Sequence, residues 1–170
     1  MTIILNSDIL YELQTNKQLK LTKKFQKNSL NYNFYINPNI AIKLYTAKII
    51  DISLNHITFE YNKKDSLNLF LFLKKVNESI LELYKNSDSH ENKTIYDMYV
   101  NKPESFTIRC YLPHFKSKYF INYFENDIQK QFFLPKKGYI YDELYIDIRN
   151  LWIKDNKVGF NLELKEIKLF

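Results

Sequence analysis

Short stretches of alternating apolar and polar positions recur along this chain, and one longer stretch follows a helical period instead. Tyr32, Phe34 and Ile36 alternate with polar neighbours, and Asn37–Pro38–Asn39 then carries turn chemistry. Ile40, Ile42 and Leu44 interleave with Ala41, Lys43 and Tyr45, which predicts a half-buried strand. Ile49–Ile52 and His56–Tyr61 flank Ser53–Leu54–Asn55 and predict a hairpin. The period then changes. Leu69, Leu73, Val76, Ile80 and Leu83 fall at spacings of four and three, a helix with Asp65 or Ser66 as its cap and an end near Lys85–Asn86–Ser87. Tyr96, Tyr99 and Val100 suggest a further short helix that Pro103 would stop.

The second half returns to alternation. Phe106, Ile108, Cys110 and Leu112 share one face of a strand, with Thr107, Arg109 and Tyr111 on the other. Tyr119–Phe124 reads as an aromatic strand. Tyr139–Ile153 reads as a long one, in which Leu144, Ile146 and Ile148 oppose Tyr145, Asp147 and Arg149. Asp155–Asn156 suits a tight hairpin, because both residues tolerate left-handed backbone. Phe160, Leu162 and Leu164 point one way and Ile167 and Leu169 the other, so a bulge near Lys165–Glu166 is needed to restore the register. Strands on both sides of one helix predict a mainly β fold: a five-stranded Greek-key barrel with one long helix between strands. That domain spans 31–170. Residues 1–30 form a segment of uncertain structure, in which Lys17, Lys20, Lys23, Lys24 and Lys27 alternate with Leu19, Leu21 and Phe25 as a strand, a helical turn or a basic arm.

Composition adds constraints. A length of 170 residues suits one domain with a sizeable core. No apolar run approaches the roughly 18 residues of a membrane-spanning helix, so no membrane association is expected. Met1–Leu13 carries Asp8 and Glu12 and lacks the basic start of a secretory signal. A lone Cys110 excludes an internal disulfide and suits a reducing compartment, cytosol or nucleus.

The formal charge of +6 is uneven: +5 over residues 1–50, −2 over 51–100 and +3 over 101–170. Such a balance makes nucleic acid the first partner class to consider, through counterion release at phosphates. The same Lys-, Asn-, Ile- and Tyr-rich composition also follows from AT-rich codon usage alone.

Catalytic signatures are absent from the sequence. His56, His90 and His114 are scattered without metal-ligand spacing, and Cys110 alternates with core positions as a buried structural thiol would. Gly138 and Gly159 are too few and too isolated for a phosphate loop, and Asp142–Glu143 reads as a solvated pair. The expectation is a non-enzymatic protein with no cofactor and no metal.

Aromatic residues are the positive signal. Tyr and Phe number 14 and 13, with Trp152 in addition. Several tyrosines sit opposite an apolar face and beside a cation. Lys43 and Tyr45 share a strand face, as do Arg109 and Tyr111; Lys116, Lys118 and Tyr119 are neighbours. Lys136, Lys137 and Tyr139 precede the long strand, whose outer face carries Tyr145 and Arg149. Bases stack on rings without regard to sequence while Lys and Arg track phosphates, so these residues and Trp152 are the candidate interface, expected to form one continuous cationic trough. The competing reading places the tyrosines on the outer face of a sheet for their β-propensity alone, and Trp152 as a cap on the barrel.

Leu151-Trp152-Ile153-Lys154-Asp155-Asn156-Lys157-Val158-Gly159-Phe160, running on to Leu162, Leu164 and Ile167, resembles the closing hairpin of a known family. It is similar to the OB-fold single-stranded DNA-binding proteins of nucleocytoplasmic large DNA viruses, themselves similar to those of podophages. Phe70, Leu73, Ile80 and Tyr84 resemble that family's helix, Ile95–Val100 its following short helix, and Lys137–Gly138 the approach to its long strand. The resemblance covers about residues 66–170; upstream, only Thr46 of Ile42–Ala47 matches the family's motif. It implies an OB barrel that binds single-stranded DNA during viral replication, recombination or repair, in the host cytoplasm or nucleus. Replication proteins and a second copy of the chain are further partners it admits. The family's acidic tail with a final aromatic is represented by Phe170 alone, after Lys165, Glu166 and Lys168. Two other classes fit the same pattern: a virion structural or interaction component, and an RNA-binding OB module.

Overall fold

The computed structural model describes residues 2–6, 20–25, 32–87, 93–116 and 118–170. Five strands carry the architecture: β3 (Tyr32–Ile52), β4 (His56–Asn62), β7 (Ser105–Tyr111), β12 (Ile140–Lys154) and β13 (Lys157–Leu169). They pair in the order β3-β4-β7-β13-β12, and β12 returns to β3. All contacts in this ring are antiparallel except β7–β13, which runs parallel and closes it at Tyr111↔Glu163. One parallel closure among antiparallel neighbours is the Greek-key topology of the OB fold, and the chain forms a closed five-stranded barrel of that type.

The alternation read from the sequence becomes the barrel interior. Phe106, Ile108, Cys110 and Leu112 are fully buried, as are Leu144, Ile146 and Ile148. Beyond Ile148 the inward set changes parity to Leu151 and Ile153, because the register of β12 shifts between Ile148 and Asn150 against both its neighbours. In β3 the inward set changes from Ile40, Ile42 and Leu44 to Ala47 and Ile49 across Thr46, whose φ is 51°. A β-branched residue in the left-handed region costs on the order of 1–3 kcal/mol, and closed burial on both sides of it holds it there. Tyr145 pairs with Glu166 and Ile146 with Leu164, so Lys165 is the extra residue of the bulge expected at this point. Asp155 and Asn156, at φ 47° and 59°, make the closing turn.

Helix α1 (Leu67–Ser87) lies between β4 and β7. Ser66 precedes it, with its carbonyl accepting the Phe70 N–H at 2.9 Å. Leu69, Leu73, Val76 and Ile80 are buried as their spacing predicts; Phe72, Asn77 and Tyr84 join them, and Leu83 packs at the margin. Leu73 borders a small internal cavity beside Ile42, Leu44, Ile108 and Ile146, so the helix plugs the barrel interior.

Several local expectations are corrected. Asn37–Pro38–Asn39 does not reverse the chain: β3 runs through it without a break. Ile148 pairs with Ile40 but Asn150 with Tyr35, so the segment is a bulge, one of the few settings in a sheet that accept Pro. On its other edge β3 receives β2 (Lys20–Phe25), antiparallel, and β1 (Thr2–Asn6), parallel. Of the three alternatives for the basic N-terminal stretch, Lys20–Phe25 is therefore strand; Lys17, Leu19 and Lys27 lie outside the described residues, as does His90.

No short helix forms over 96–100. Instead β5 (Thr94–Ile95) pairs with β13 and β6 (Val100–Asn101) with β7. Buried Asn77 holds the segment between them, accepting the Met98 N–H at 2.9 Å and donating to Asp97 at 2.7 Å. The single aromatic strand expected at Tyr119–Phe124 is split. Tyr119 ends a small hairpin of β8 (His114–Phe115) and β9 (Lys118–Tyr119), while β10 (Asn122–Glu125) joins β13 and pairs with β11 (Ile128–Lys130). Among the described residues no helix is long and apolar enough to cross a membrane.

Candidate nucleic-acid interface

On the outer face of β4 and β7, His56 pairs with Tyr111 and Thr58 with Arg109. Two walls rise beside this floor. One is the 96–100 segment, fixed to the helix by Asn77 as described. The other is the β12–β13 hairpin, which contributes Trp152, Gly159 and Phe160. Together they enclose an open groove of about 470 Å³.

The groove is built from rings. Trp152 and Tyr96 lie near parallel, 28° apart with centroids at 6.3 Å, and His56 meets Tyr111 edge-on at 5.9 Å. Trp152 is the cross-strand partner of Gly159 and its ring lies flat on that residue: a Cβ there would stand 2.4 Å from Trp152 Cζ2. Only glycine permits this contact. Thus Trp152 neither caps the barrel nor fills its core; it is half-buried, with its ring in the groove.

Arg109 is exposed on the groove floor and, among the described residues, meets no carboxylate within ion-pair distance. Burial, and then the Arg109 charge, hold the His56 imidazole below its ordinary pKa of 6.5. At the hairpin end, Lys154 and Lys157 are paired strand neighbours, exposed and likewise without a carboxylate partner. Along β13 the groove is lined from Gly159 to Leu162, a length of about 10 Å at ~3.3 Å per residue.

The thirteen residues predicted from the sequence do not form one trough. Arg109, Tyr111 and Trp152 meet in the groove. Lys116, Lys118 and Tyr119 lie next to it on the β8–β9 hairpin. Lys43, Tyr45, Tyr145 and Arg149 stand on the outer face of β3, β12 and β13, where the cations are already engaged. Lys43 lies 2.8 Å from Glu143, and Arg149 lies 3.1 Å from Glu163 and 3.9 Å from Asp147. Burial alone would lower the pKa of Lys43, but hydrogen bonds to Glu143, Tyr45 and Tyr145 outweigh it and keep the ammonium firmly charged. Lys136, Lys137 and Tyr139 lie beside β3 near Ile49, with Lys137 paired to Asp51 at 3.2 Å and the Tyr139 ring against Tyr141.

His56, Tyr96 and Phe160 of the groove lining are not among the residues the sequence singles out, nor are Lys154 and Lys157 at the hairpin end. Tyr96 was hidden by the helical spacing of 96–100, and Phe160 by sharing parity with core Leu162. Lysines beside a hairpin turn carry no distinctive pattern; the Gly159–Trp152 pairing was the available signal. A larger concavity of about 850 Å³ lies at the opposite end of β4, around Thr46, Asn62 and Ser66. Its lining mixes Lys48 and Lys64 with Glu60, Asp65 and Glu104, so it lacks the one-sided charge a polyanion requires.

Fold and groove together define an OB barrel in which the face of its second and third barrel strands, β4 and β7, and the closing hairpin are open, the surface on which such barrels bind oligonucleotides. Two solved structures of the single-stranded DNA-binding protein from bacteriophage Enc34 share this fold. The one in complex with ssDNA aligns with a TM-score of 0.52 and 12% identity, over 91% of this chain and 96% of that one. The C-terminal truncation aligns with a TM-score of 0.51 and 13% identity, over 89% and 94%. No protein-family model and no curated protein matches the chain.

Proposed function

We propose that this protein binds single-stranded DNA, without catalysis and with little regard to sequence, in the groove between Trp152 and Tyr111. The observation that carries the reading is that Arg109, without a carboxylate partner among the described residues, shares one groove with two ring pairs, Trp152–Tyr96 and His56–Tyr111. Bases stack on the rings, and Arg109, Lys154 and Lys157 follow the phosphates. The bound DNA reported for the Enc34 protein, on the same fold, supports the choice of ligand. The closing hairpin's resemblance to proteins of large DNA viruses supports a role in viral-type replication, recombination or repair, at the host cytoplasmic or nuclear site where that DNA is handled.

The test is anisotropy of labelled oligo(dT) across a salt series, with Trp152 emission followed in parallel. Trp152 is the sole tryptophan, so its quenching reports groove occupancy directly. The logarithm of the affinity should fall linearly with log salt, with a slope of about −0.7 per neutralised phosphate on single strands. Binding that leaves Trp152 emission unchanged would place the DNA elsewhere, and tighter binding to RNA of equal sequence would make the ligand RNA.

A further inference from the structure

The rings of the groove do not stop at Tyr111. His114 lies 6.4 Å from Tyr111, Tyr119 lies 5.5 Å from His114, and Tyr119 in turn meets core Phe132 edge-on at 5.4 Å. His114 and Tyr119 are cross-strand partners in the β8–β9 hairpin, so one face of that hairpin is fixed to the barrel at the groove's end. Its Tyr119 hydroxyl donates to the Leu54 carbonyl at 3.1 Å, and the neighbouring Leu112 N–H to Asn55, which ties it to the β3–β4 turn as well. The opposite face pairs Phe115 with Lys118. Phe115 is 63% exposed, Lys116 holds its ammonium 5.3 Å from that ring, and both lysines are exposed with no carboxylate partner among the described residues. Among the described residues this hairpin forms a two-stranded sheet of its own, and the contacts just named position it against the barrel.

Resting on the proposed function, we infer that the β8–β9 hairpin is a second, separable single-strand subsite: DNA leaving the groove past Tyr111 stacks a base on Phe115 and sets phosphates on Lys116 and Lys118. Charge complementarity and direct continuity with the groove select this occupant. An exposed ring beside cations that meet no carboxylate among the described residues joins the same two kinds of group as the groove, one hairpin further along.

The experiment compares oligo(dT) of increasing length on the full chain and on the variant Phe115→Ala/Lys116→Ala/Lys118→Ala, whose side chains contribute nothing to the core. Wild type should gain affinity with length in two stages, first as the groove fills and then as the hairpin is reached. The variant should bind the short oligonucleotide as wild type does and lose the second stage. Its salt slope on the long oligonucleotide should be shallower by about 1.4, the value for two phosphates at ~0.7 each. Equal length dependence in the two proteins overturns the subsite. An equal loss on short and long oligonucleotides also overturns it, because the hairpin would then be part of the groove. Absence of binding by wild type at any length would instead remove the proposed function itself.

Discussion

On the β3–β12–β13 wall, each of Lys43, Arg149, Lys165 and Lys168 has a carboxylate within 4 Å; on the β4–β7 wall, Arg109 has none among the described residues. Both walls carry tyrosines and cations in alternation, and from the sequence they look alike. They differ in whether the cation's partner is already in place. On the paired wall, Lys165 bonds to Glu163, which also binds Arg149, and Asp147 lies within reach of both cations. Burial raises the Asp147 pKa, with Lys165 and Arg149 opposing the shift. A phosphate arriving there must displace a carboxylate and face the remaining acids. In the groove it meets an open guanidinium. Exposed ion pairs stabilise a fold by only about 0–1 kcal/mol each, so the paired wall gains little stability, but its cations are unavailable to DNA.

The sharpest way to break this contrast is to strip rings from the groove and cations from the paired wall. Trp152→Ala with Tyr96→Ala removes a stacking platform worth about 1–3 kcal/mol per base, so oligo(dT) affinity should drop on the order of 5- to 150-fold. Lys43→Ala with Arg149→Ala should leave it within about twofold. Equilibrium binding at fixed salt, with circular dichroism to verify folding, compares the two. If the second pair loses as much as the first, the DNA path crosses the β3–β12–β13 wall.

Gly159→Ala probes the same platform without deleting it. The new Cβ would stand 2.4 Å from the Trp152 ring, so the ring must leave the strand or the strand must shift. Overpacking of this kind costs about 1–3 kcal/mol of stability. Thermal unfolding should register that loss, Trp152 emission should shift to the red, and DNA affinity should fall by less than in the double variant. An unchanged emission maximum would mean that Gly159 is not what seats the ring.

The barrel was legible because its signals are local. The inward residues of β7 alternate without interruption, the helical stripe of α1 repeats at four and three, and the Asp155–Asn156 turn and Lys165 bulge follow from residue type and parity. What stayed hidden depended on distant partners. The pairing of β5 with β13 and of β6 with β7 holds both ends of 94–101 extended, and buried Asn77 on the helix anchors the stretch between them through Met98 and Asp97. Pro38 looked like a chain reversal because the partners of β3 on its two sides come from the opposite ends of the chain, β2 and β12. The site suffered most. Lys43 and Arg109 each precede a tyrosine by two positions on a strand, and nothing within either strand tells that Glu143 neutralises one and leaves the other open.

Charge on the two walls separates in a salt titration. Arg109→Ala should weaken binding several-fold and lower the slope of log affinity against log salt by about 0.7, the contribution of one phosphate. Arg149→Ala, which removes an equal formal charge, should leave the slope where it was. The comparison controls for net charge, so equal slopes in both variants would show that long-range field rather than contact is being measured.

The smallest effect expected is protonic, and it too distinguishes the groove. His56 stands there among Arg109 and Tyr111 of β7, with Asp97 in the facing wall, and its folded pKa lies below 6.5 because burial, and then Arg109, disfavour the imidazolium. As the pH falls through 6.5, the unfolded chain takes up this proton before the folded one does. The histidine's contribution to stability is therefore present at neutral pH and declines below 6.5, until the folded form is protonated as well. DNA reverses the sign for binding, since a phosphate beside the ring favours the charged form and adds a contact. Affinity for oligo(dT) should thus rise modestly over the interval in which free-protein stability falls. Measuring both quantities from pH 7.5 to 5.5 in wild type and His56→Gln isolates the group, because the glutamine variant should lose the His56 contribution to each trend. A wild type and a variant with parallel affinity profiles would show that DNA does not approach His56, and the groove would have to be redrawn on the Trp152 side alone.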